Sequence, residues 1–305
     1  MSLLCNDDER LLREAVREYV ARDVVPRVAE RDDSGDFPVE EVQSAAELGF
    51  MGLAIPEVYG GSPLNAAGTA LVYEEISRAS AAVSVILSVH NSLTSLAINR
   101  FGSNALKDRL LPSLSSGHAL GAYCLTEPQA GSDAAAISTR AVDEGDAYRL
   151  NGRKVFITSG AHAGVYVVFA VTDPGARTSQ RITAFAVERD APGIQVSPKE
   201  KKLGLLASEI NEITFNDVVV PTDNVLGEVG GGFGIAMKLL STGRIGIAAQ
   251  AVGIAQAALD ASLRYARERI QFGKPISEFQ AIQWKLADMA TEIDAARLLV
   301  RQAAY

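Results

Sequence analysis

Residues 123–134 read Tyr-Cys-Leu-Thr-Glu-Pro-Gln-Ala-Gly-Ser-Asp-Ala. Tyr123 to Leu125 is apolar and reads as the end of a buried strand. Pro128 stops it, because proline has a fixed φ and no N–H for a sheet ladder. The small residues Ala130-Gly131-Ser132 then form a turn. Tight turns of this kind leave backbone N–H groups unpaired, and a few such amides make an anion-binding concavity. The hydroxyls of Thr126 and Ser132 flank it. This stretch therefore reads as a strand delivering a turn able to hold a phosphate or a cofactor edge.

The surrounding hundred residues keep the same style. From about Leu120 to Val220 the chain favours strands: Val165-Tyr-Val-Val-Phe-Ala-Val171 and Ile182-Thr-Ala-Phe-Ala-Val187 are β-branched and aromatic. Asp143-Glu-Gly-Asp146 and Asp173-Pro-Gly175 punctuate them as turns. Strands this closely spaced, with no helices between them, predict a small antiparallel barrel or sandwich rather than a parallel βαβ sheet. Asn151-Gly-Arg-Lys-Val-Phe-Ile-Thr-Ser-Gly160 is a second strand-and-turn segment, about thirty residues after the first.

Both flanks read as helical. Asn6 is placed to cap a helix with Glu9 as its capping-box partner. Leu11, Leu12, Ala15, Val16, Tyr19, Val20 and Val24 then recur at helical steps and predict one buried stripe. Pro26 is expected to kink or end that helix. Val39–Leu48 predicts a short helix stopped by Gly49, and Ile55–Pro63 a loop. Ala66 to about Arg100 predicts one long buried helix, and Asn104–Ser115 another. After Gly230-Gly-Gly-Phe-Gly234 the helical period returns, with one helix from Met237 to about Ile270 and a second from about Ser277 to Tyr305. The first is too apolar for a surface helix and predicts a bundle interior or an oligomer interface.

Bulk properties narrow the function classes. At 305 residues the chain exceeds a usual single core. A net charge of −8 argues against a nucleic-acid partner, which needs a basic footprint. Cys5 and Cys124 show no ligand or disulfide spacing, and His90, His118 and His162 form no metal motif. The acidic start reads as neither a secretory nor a transit segment. Ala81–Val89 is too short, and too broken by serine, to predict a membrane span. The expectation is an acidic cytoplasmic protein with no bound metal. Lys199-Glu-Lys-Lys202 reads as an exposed turn. The glycine run at Gly230 fits no dinucleotide fingerprint, and no Walker A, nucleophile elbow or zincin helix occurs.

Four segments together resemble the acyl-CoA dehydrogenase family along the whole chain. Leu125-Thr-Glu-Pro-Gln-Ala-Gly-Ser-Asp133 is similar to its first signature. Phe156-Ile-Thr158 stands where the family usually has Trp-Ile-Thr. Ser241-Thr-Gly-Arg244 resembles a segment that contacts acyl-CoA. Glu268-Arg-Ile-Gln-Phe-Gly-Lys-Pro275, followed by Phe279-Gln280, resembles the second half of the flavin site. The resemblance implies an α+β architecture: a helical domain over 1–119, a central antiparallel β-barrel or sandwich domain over 120–229, and the first two helices of a C-terminal four-helix bundle over 230–305.

It also implies FAD and a set of roles. Tyr123, Leu125 and Thr126 would hold the flavin pyrimidine edge. Ser132, following the flexible Gly131, would bond near the pyrophosphate and the substrate. Phe156 would cover the ring, Ile157 would lie beside it in the cofactor-binding segment, and Thr158 would sit near flavin N5. Arg269 and Gln280 would reach the FAD of a neighbouring subunit, with Phe272 among the cofactor-binding residues. Ser132, Ser241, Thr242, Gly243 and Arg244 would meet the acyl-CoA. The implied reaction is α,β-desaturation of an acyl-CoA thioester, with electrons passed to an electron-transfer flavoprotein by a homotetramer. The setting would be cytoplasmic, or the mitochondrial matrix in a eukaryote.

Taken alone, these residues have plainer readings. Thr158 is an ordinary strand threonine, Arg269 a solvated cation near a helix C-terminus, and Glu127 a surface or ion-paired carboxylate. The sequence also departs from the family pattern. Most members carry their catalytic base in a Glu-Gly-Thr-like loop, and a minority carry it just before the arginine matching Arg244. That second position is Gly243 here, so the base is expected beyond Tyr305 and the 305 residues are expected to be inactive alone. Leu206 stands where an arginine is common. Two other readings stay open: a same-fold flavin monooxygenase or nitroalkane oxidase, and a non-enzymatic truncated relative acting as a binding module.

Overall fold

The computed structural model describes residues 6–305. The readings for Cys5 and its neighbours lie outside the described residues. The chain forms two compact units. One takes the chain up to Val28, Asn65–Val85 and Ile245–Tyr305. The other takes Ala29–Leu64 and Ile86–Arg244.

The larger unit is built on an eight-stranded sheet with strand order β6-β7-β3-β2-β4-β5-β8. Its strands are β1 (Leu120–Cys124), β2 (Arg140–Asp143), β3 (Ala147–Thr158), β4 (Ala163–Val171), β5 (Ile182–Glu188), β6 (Ile194–Val196), β7 (Ile210–Pro221) and β8 (Val225–Leu226). Most pairings are antiparallel, as expected. The exceptions are β1, which runs parallel to β4 from Leu120 to Cys124, and two isolated parallel bridges, Arg140 of β2 to Val171 of β4 and Ile182 of β5 to Gly231. These pairings are non-local, so no turn signal announces them.

Strand β4 explains why its sequence lacks alternation. Val165, Val167, Phe169 and Val171 pack with Leu110, Leu111 and Leu114 on one face, while Tyr166, Val168 and Ala170 join Tyr148, Phe185 and Phe215 on the other. A strand buried on both faces has no reason to be polar anywhere. On the second face the sheet packs upon itself, with the Tyr148 ring of β3 edge-on to Phe185 of β5 at 5.1 Å. Four helices of this unit are α3 (Val39–Glu47), α6 (Leu96–Phe101), α7 (Asn104–Ser115) and the first part of α8 (Gly232–Glu268); α2 (Val28–Ser34) begins it.

The smaller unit is helical. It holds α1 (Asp7–Tyr19), α4 (Ala66–Ser77), the start of α5 (Ala81–Val89), the rest of α8, and α9 (Gln280–Ala304). A short hairpin of β9 (Ile270–Gln271) and β10 (Lys274–Pro275) separates the last two helices. Val252, Leu259 and Ile293 centre its core. Arg13, Arg17 and Arg78 all pair with the buried Glu75, and Arg78 continues to Asp260 at 2.6 Å. Arg297 joins Glu74, Asp294 and Gln256.

Several helix expectations need correction. Asn6 caps α1 by accepting from the Glu9 amide at 2.8 Å. The Glu9 carboxylate, however, turns to Arg301 and Tyr305 rather than back to the cap. Val16, Tyr19 and Val24 are buried, but Leu11 is 65% exposed and Ala15 is also exposed. Pro26 does not end the helix: a π turn at Val20–Val24 and a 3₁₀ turn at Val25–Arg27 carry it into α2. The helix expected over 66–100 is interrupted at Arg78–Ser80. Its second part runs on through a π turn at His90–Ser95 to Phe101. That run of 21 residues, like the 37 of α8, is long and apolar enough to cross a bilayer, contrary to the short span read from 81–89. Of its most apolar 18-residue stretch 78% is buried inside the protein, as in a core helix.

Candidate functional site

The turn foreseen at 128–133 lies open at the end of β1. Gly131, Ser132 and Asp133 are exposed, and a Cβ added at Gly131 would meet nothing within 4 Å. Among the described residues, neither the Gly131 nor the Ser132 amide donates to another group. Two free amides and a hydroxyl on an open turn are the donor set an anionic group needs.

The second segment is held beside it. The Val155 amide donates to the Thr126 carbonyl at 2.9 Å, so the strand carrying Phe156-Ile157-Thr158 is bonded to the root of the turn. The register of β3 against β7 shifts between Lys154 and Ile157. At this bulge Phe156 takes φ +58° and presents its ring 66% exposed. Such a ring, left in water with its backbone in the left-handed region, is a surface offered to a flat apolar ligand. Thr126 and Thr158 are half-buried beside it. These features fit a flavin nucleotide: a face for the ring and free amides for the pyrophosphate.

Three of the residues expected at the flavin bury their side chains in the protein, leaving only backbone to offer. The Leu125 side chain belongs to the core shared with the helices, and Ile157 is buried in the opposite core. Tyr123 stacks edge-on to Phe169 at 5.1 Å, and its hydroxyl is buried without a hydrogen-bond partner among the described residues. Burial, against an opposing pull from the Lys154 ammonium, pushes the neighbouring Cys124 thiol up to about 12, so it stays protonated.

The buried carboxylate at the centre was read only as a surface or ion-paired group. Glu127 Oε1 lies 2.8 Å from Nζ of Lys154 and accepts from the Thr139 amide at 2.9 Å. Its Oε2 accepts from the Ser138 amide, the Ser138 hydroxyl and the Gln129 amide group, at 2.7, 2.8 and 2.7 Å. Lys154 also donates to the Leu125 carbonyl at 3.0 Å and is wholly buried. Burial by itself would raise the Glu127 pKa. The ammonium and the other donors outweigh it and hold the carboxyl at about 2. Lys154 moves the other way: desolvation lowers its pKa despite the attraction of Glu127. Both directions fit the geometry, since the carboxylate has five donors and the ammonium two acceptors. Lys154, Ser138 and Thr139 were missed in the sequence. The one signal was the adjacent pair Arg153-Lys154 on a strand, where successive side chains alternate faces and both charges cannot point to the same side.

The segment expected at acyl-CoA lies in α8. Ser241 and Thr242 turn their hydroxyls back to the Met237 and Lys238 carbonyls at 2.9 and 3.4 Å. Gly243 faces Leu93, and Arg244 is exposed with no ion pair among the described residues. In the helical unit, Arg269 follows the end of α8, and Phe272 caps the β9–β10 hairpin at φ +51° and 93% exposure. Phe279 meets the Phe272 ring edge-on at 6.1 Å and lies under the Lys274 ammonium, with Gln280 starting α9. Leu206 lies against the Gly35 turn, and Lys202 ties its own loop through the Leu205 and Ser208 carbonyls. Lys199 donates to the Gly35 carbonyl, so the basic run anchors a loop as well as facing solvent. No group of side chains with metal-binding character occurs among the described residues.

Comparison with known proteins agrees across the chain. Residues 6–118 match the acyl-CoA dehydrogenase N-terminal domain, 122–218 its middle domain and 230–305 its C-terminal domain. An acyl-CoA dehydrogenase of Bacillus subtilis is 45% identical, over 97% of this chain and 78% of its own length. A short-chain specific acyl-CoA dehydrogenase of Clostridium acetobutylicum is 43% identical, over 98% and 78%. Among solved structures, butyryl-CoA dehydrogenase of Megasphaera elsdenii superposes with a TM-score of 0.95 at 42% identity, covering all of this chain and 80% of that one. A chain in the structure described as the electron transferring flavoprotein of Acidaminococcus fermentans gives 0.96 at 42% identity, with the same coverage. An acyl-CoA dehydrogenase of Bacillus anthracis complexed with FAD gives 0.92 at 36% identity, over 99% of this chain and 52% of that one. The chain belongs to the acyl-CoA dehydrogenase family.

Proposed function

We propose that this chain carries the flavin- and thioester-binding part of an FAD-dependent acyl-CoA dehydrogenase that introduces an α,β double bond into a short acyl-CoA. The observation that carries the reading is the hydrogen bond from Val155 to Thr126. It sets an exposed aromatic face and a free-amide turn side by side. The Clostridium and Megasphaera proteins, a short-chain specific and a butyryl-CoA dehydrogenase, favour a short acyl group.

In this reading the Gly131 and Ser132 amides and the Ser132 hydroxyl hold the anionic pyrophosphate. Tyr123, Leu125 and Ile157 contribute backbone, Phe156 walls off water from the ring, and Thr126 and Thr158 supply hydroxyls at its edge. Bound FAD supplies a two-electron acceptor for the hydride leaving Cβ. Arg244, a fixed cation with no partner of its own, meets the acyl-CoA beside Ser241 and Thr242. Arg269, Phe272 and Gln280 serve the FAD of a neighbouring subunit.

The α-proton still needs a base. Glu127 is the buried carboxylate beside the turn, but a group held at about 2 is too weak a base for a weakly acidic C–H. Gly243 has no side chain to offer. We assign the base to a glutamate outside these 305 residues, in the fifth of the relatives' length that this chain does not match. Boundaries at 1–119, 120–229 and 230–305, a bundle completed beyond Tyr305, a homotetramer, an electron-transfer flavoprotein as acceptor and a cytoplasmic setting belong to the same proposal. The exposed Ile254, Leu298 and Leu299 of α8 and α9, beside an apolar groove of about 610 Å³, support a covered face there.

Two measurements test it. Titration of the purified chain with FAD should give saturable quenching of flavin fluorescence, and its absence would remove the reading. Turnover of butyryl-CoA by the 305 residues alone would refute the missing base. Oxygen reactivity of the reduced flavin separates a monooxygenase of the same fold.

A further inference from the structure

A buried ion pair is a poor way to gain stability. Well-packed apolar residues of the same volume often do as well or better. The pair of Glu127 and Lys154 therefore calls for another reason, and its connections supply one. The 128–138 turn has little structure of its own: a reciprocal backbone pair joins Glu127 to Ala130, at 3.0 Å in both directions, and a single 3₁₀ turn carries the Ala136 amide to the Asp133 carbonyl at 3.1 Å. Beyond it come an exposed glycine and serine, whose conformational freedom is large. The Glu127 carboxylate closes this loop from inside. One oxygen holds Lys154 and the Thr139 amide, the other Gln129 and both donors of Ser138. The entry of the turn at 127 and its exit at 138–139 are thus fastened to one group.

Lys154 extends the fastening. It stands two residues before Phe156 on β3 and also holds the Leu125 carbonyl. The neighbouring Val155 amide holds Thr126. The turn offered to the phosphates and the strand offered to the ring are registered against each other through this one side chain.

We propose that Glu127 and Lys154 are positioning residues, acting as one unit, that hold the 128–138 turn in its ligand-ready shape and so set the affinity of the chain for FAD. The inference rests on the flavin reading above. Neither side chain reaches the ligand surface, since both are buried.

A double-mutant cycle separates this role from simple stabilisation. Glu127→Gln and Lys154→Met each leave one partner of the pair without its charge complement, so each should lower the melting temperature. The double variant E127Q/K154M removes both charges and should recover most of that loss. Affinity for FAD should not recover: each variant, the double included, is expected to bind FAD about tenfold or more weakly, a coupling in the range that contacting residues show. In the FAD-free chain, hydrogen exchange of a peptide spanning 128–138 should be faster in the double variant than in the wild type. A double variant that binds FAD as tightly as wild type overturns the proposal. So does unchanged exchange of that peptide. Should the wild-type chain bind no FAD, the flavin reading falls, while the exchange comparison still decides whether the pair orders the turn. Should the single variants fail to fold, the double variant carries the test.

Discussion

His90 accepts a hydrogen bond from the Gly121 amide on Nδ1, at 3.0 Å, while its Nε2 faces the Met51 carbonyl, also at 3.0 Å. A carbonyl can only accept, so Nε2 carries the proton and the ring is neutral. The helical run behind the sheet is thereby joined to the first residues of the strand that delivers the open turn. Burial holds the His90 pKa at about 4, below its ordinary 6.5.

The sign of the pH dependence follows. Between pH 6.5 and 4 the unfolded chain binds the His90 proton and the folded chain does not, so stability falls as pH falls through that window. The contribution is complete above 6.5 and amounts to at most about 3 kcal/mol. Urea melts from pH 8 to pH 4 should show this slope in the wild type and lose it in His90→Asn.

Gly253 sits within α8, where helix propensity alone favours alanine by about 1 kcal/mol. Packing reverses the sign. A Cβ there would lie 2.0 Å from Ser77 Oγ and 2.2 Å from the Glu74 carbonyl oxygen, and backbone cannot swing aside. Gly253→Ala should destabilise by about 1–3 kcal/mol, read as a lower thermal midpoint. A neutral or stabilising result would mean that α4 and α8 are not this close.

Glu75→Gln should lower stability by about 3–5 kcal/mol, because three arginines converge on that buried carboxylate. Asp7→Asn breaks the exposed pair with Arg10 and should leave the midpoint unchanged. Chemical denaturation of the two variants side by side gives the contrast.

Phe156 combines a left-handed backbone with an exposed ring. Glycine takes that backbone without strain, so Phe156→Gly should keep the thermal midpoint or raise it. FAD binding should weaken, since the ring's exposed face goes with it. Calorimetry and a fluorescence titration on the same preparation read the two effects. Equal loss of both would assign Phe156 to folding rather than to binding.

What the sequence could show was local chemistry. The cap at Asn6, the glycine stop after α3 and the proline break at 128 each depend on a residue and its near neighbours. The interruption at Arg78–Ser80 has no glycine or proline. Its only mark is Ser80, whose hydroxyl accepts from the Val83 amide at 3.3 Å, and serine is common in that alanine-rich run. Pro26 marks a break in the α geometry but not the end of the helical run, because proline suits the first turn of a 3₁₀ segment as well as a helix end. The open turn and Phe156 were legible. Lys154 was not, because its partner lies 27 residues earlier and only the folded sheet brings the two together.

The bulge at Phe156 has a consequence for the chain's tolerance of change. Before it, β3 buries the even-numbered Tyr148, Leu150 and Lys154; at it, Val155 is buried directly after Lys154, and Ile157 follows on the odd-numbered side. The strand thus switches parity midway. A one-residue insertion or deletion between 151 and 158 would drive a charged group into water and Phe156 into the core at a single stroke. Length is frozen along this strand even where composition is free, and loop exchange within the fold should succeed everywhere in the sheet sooner than there.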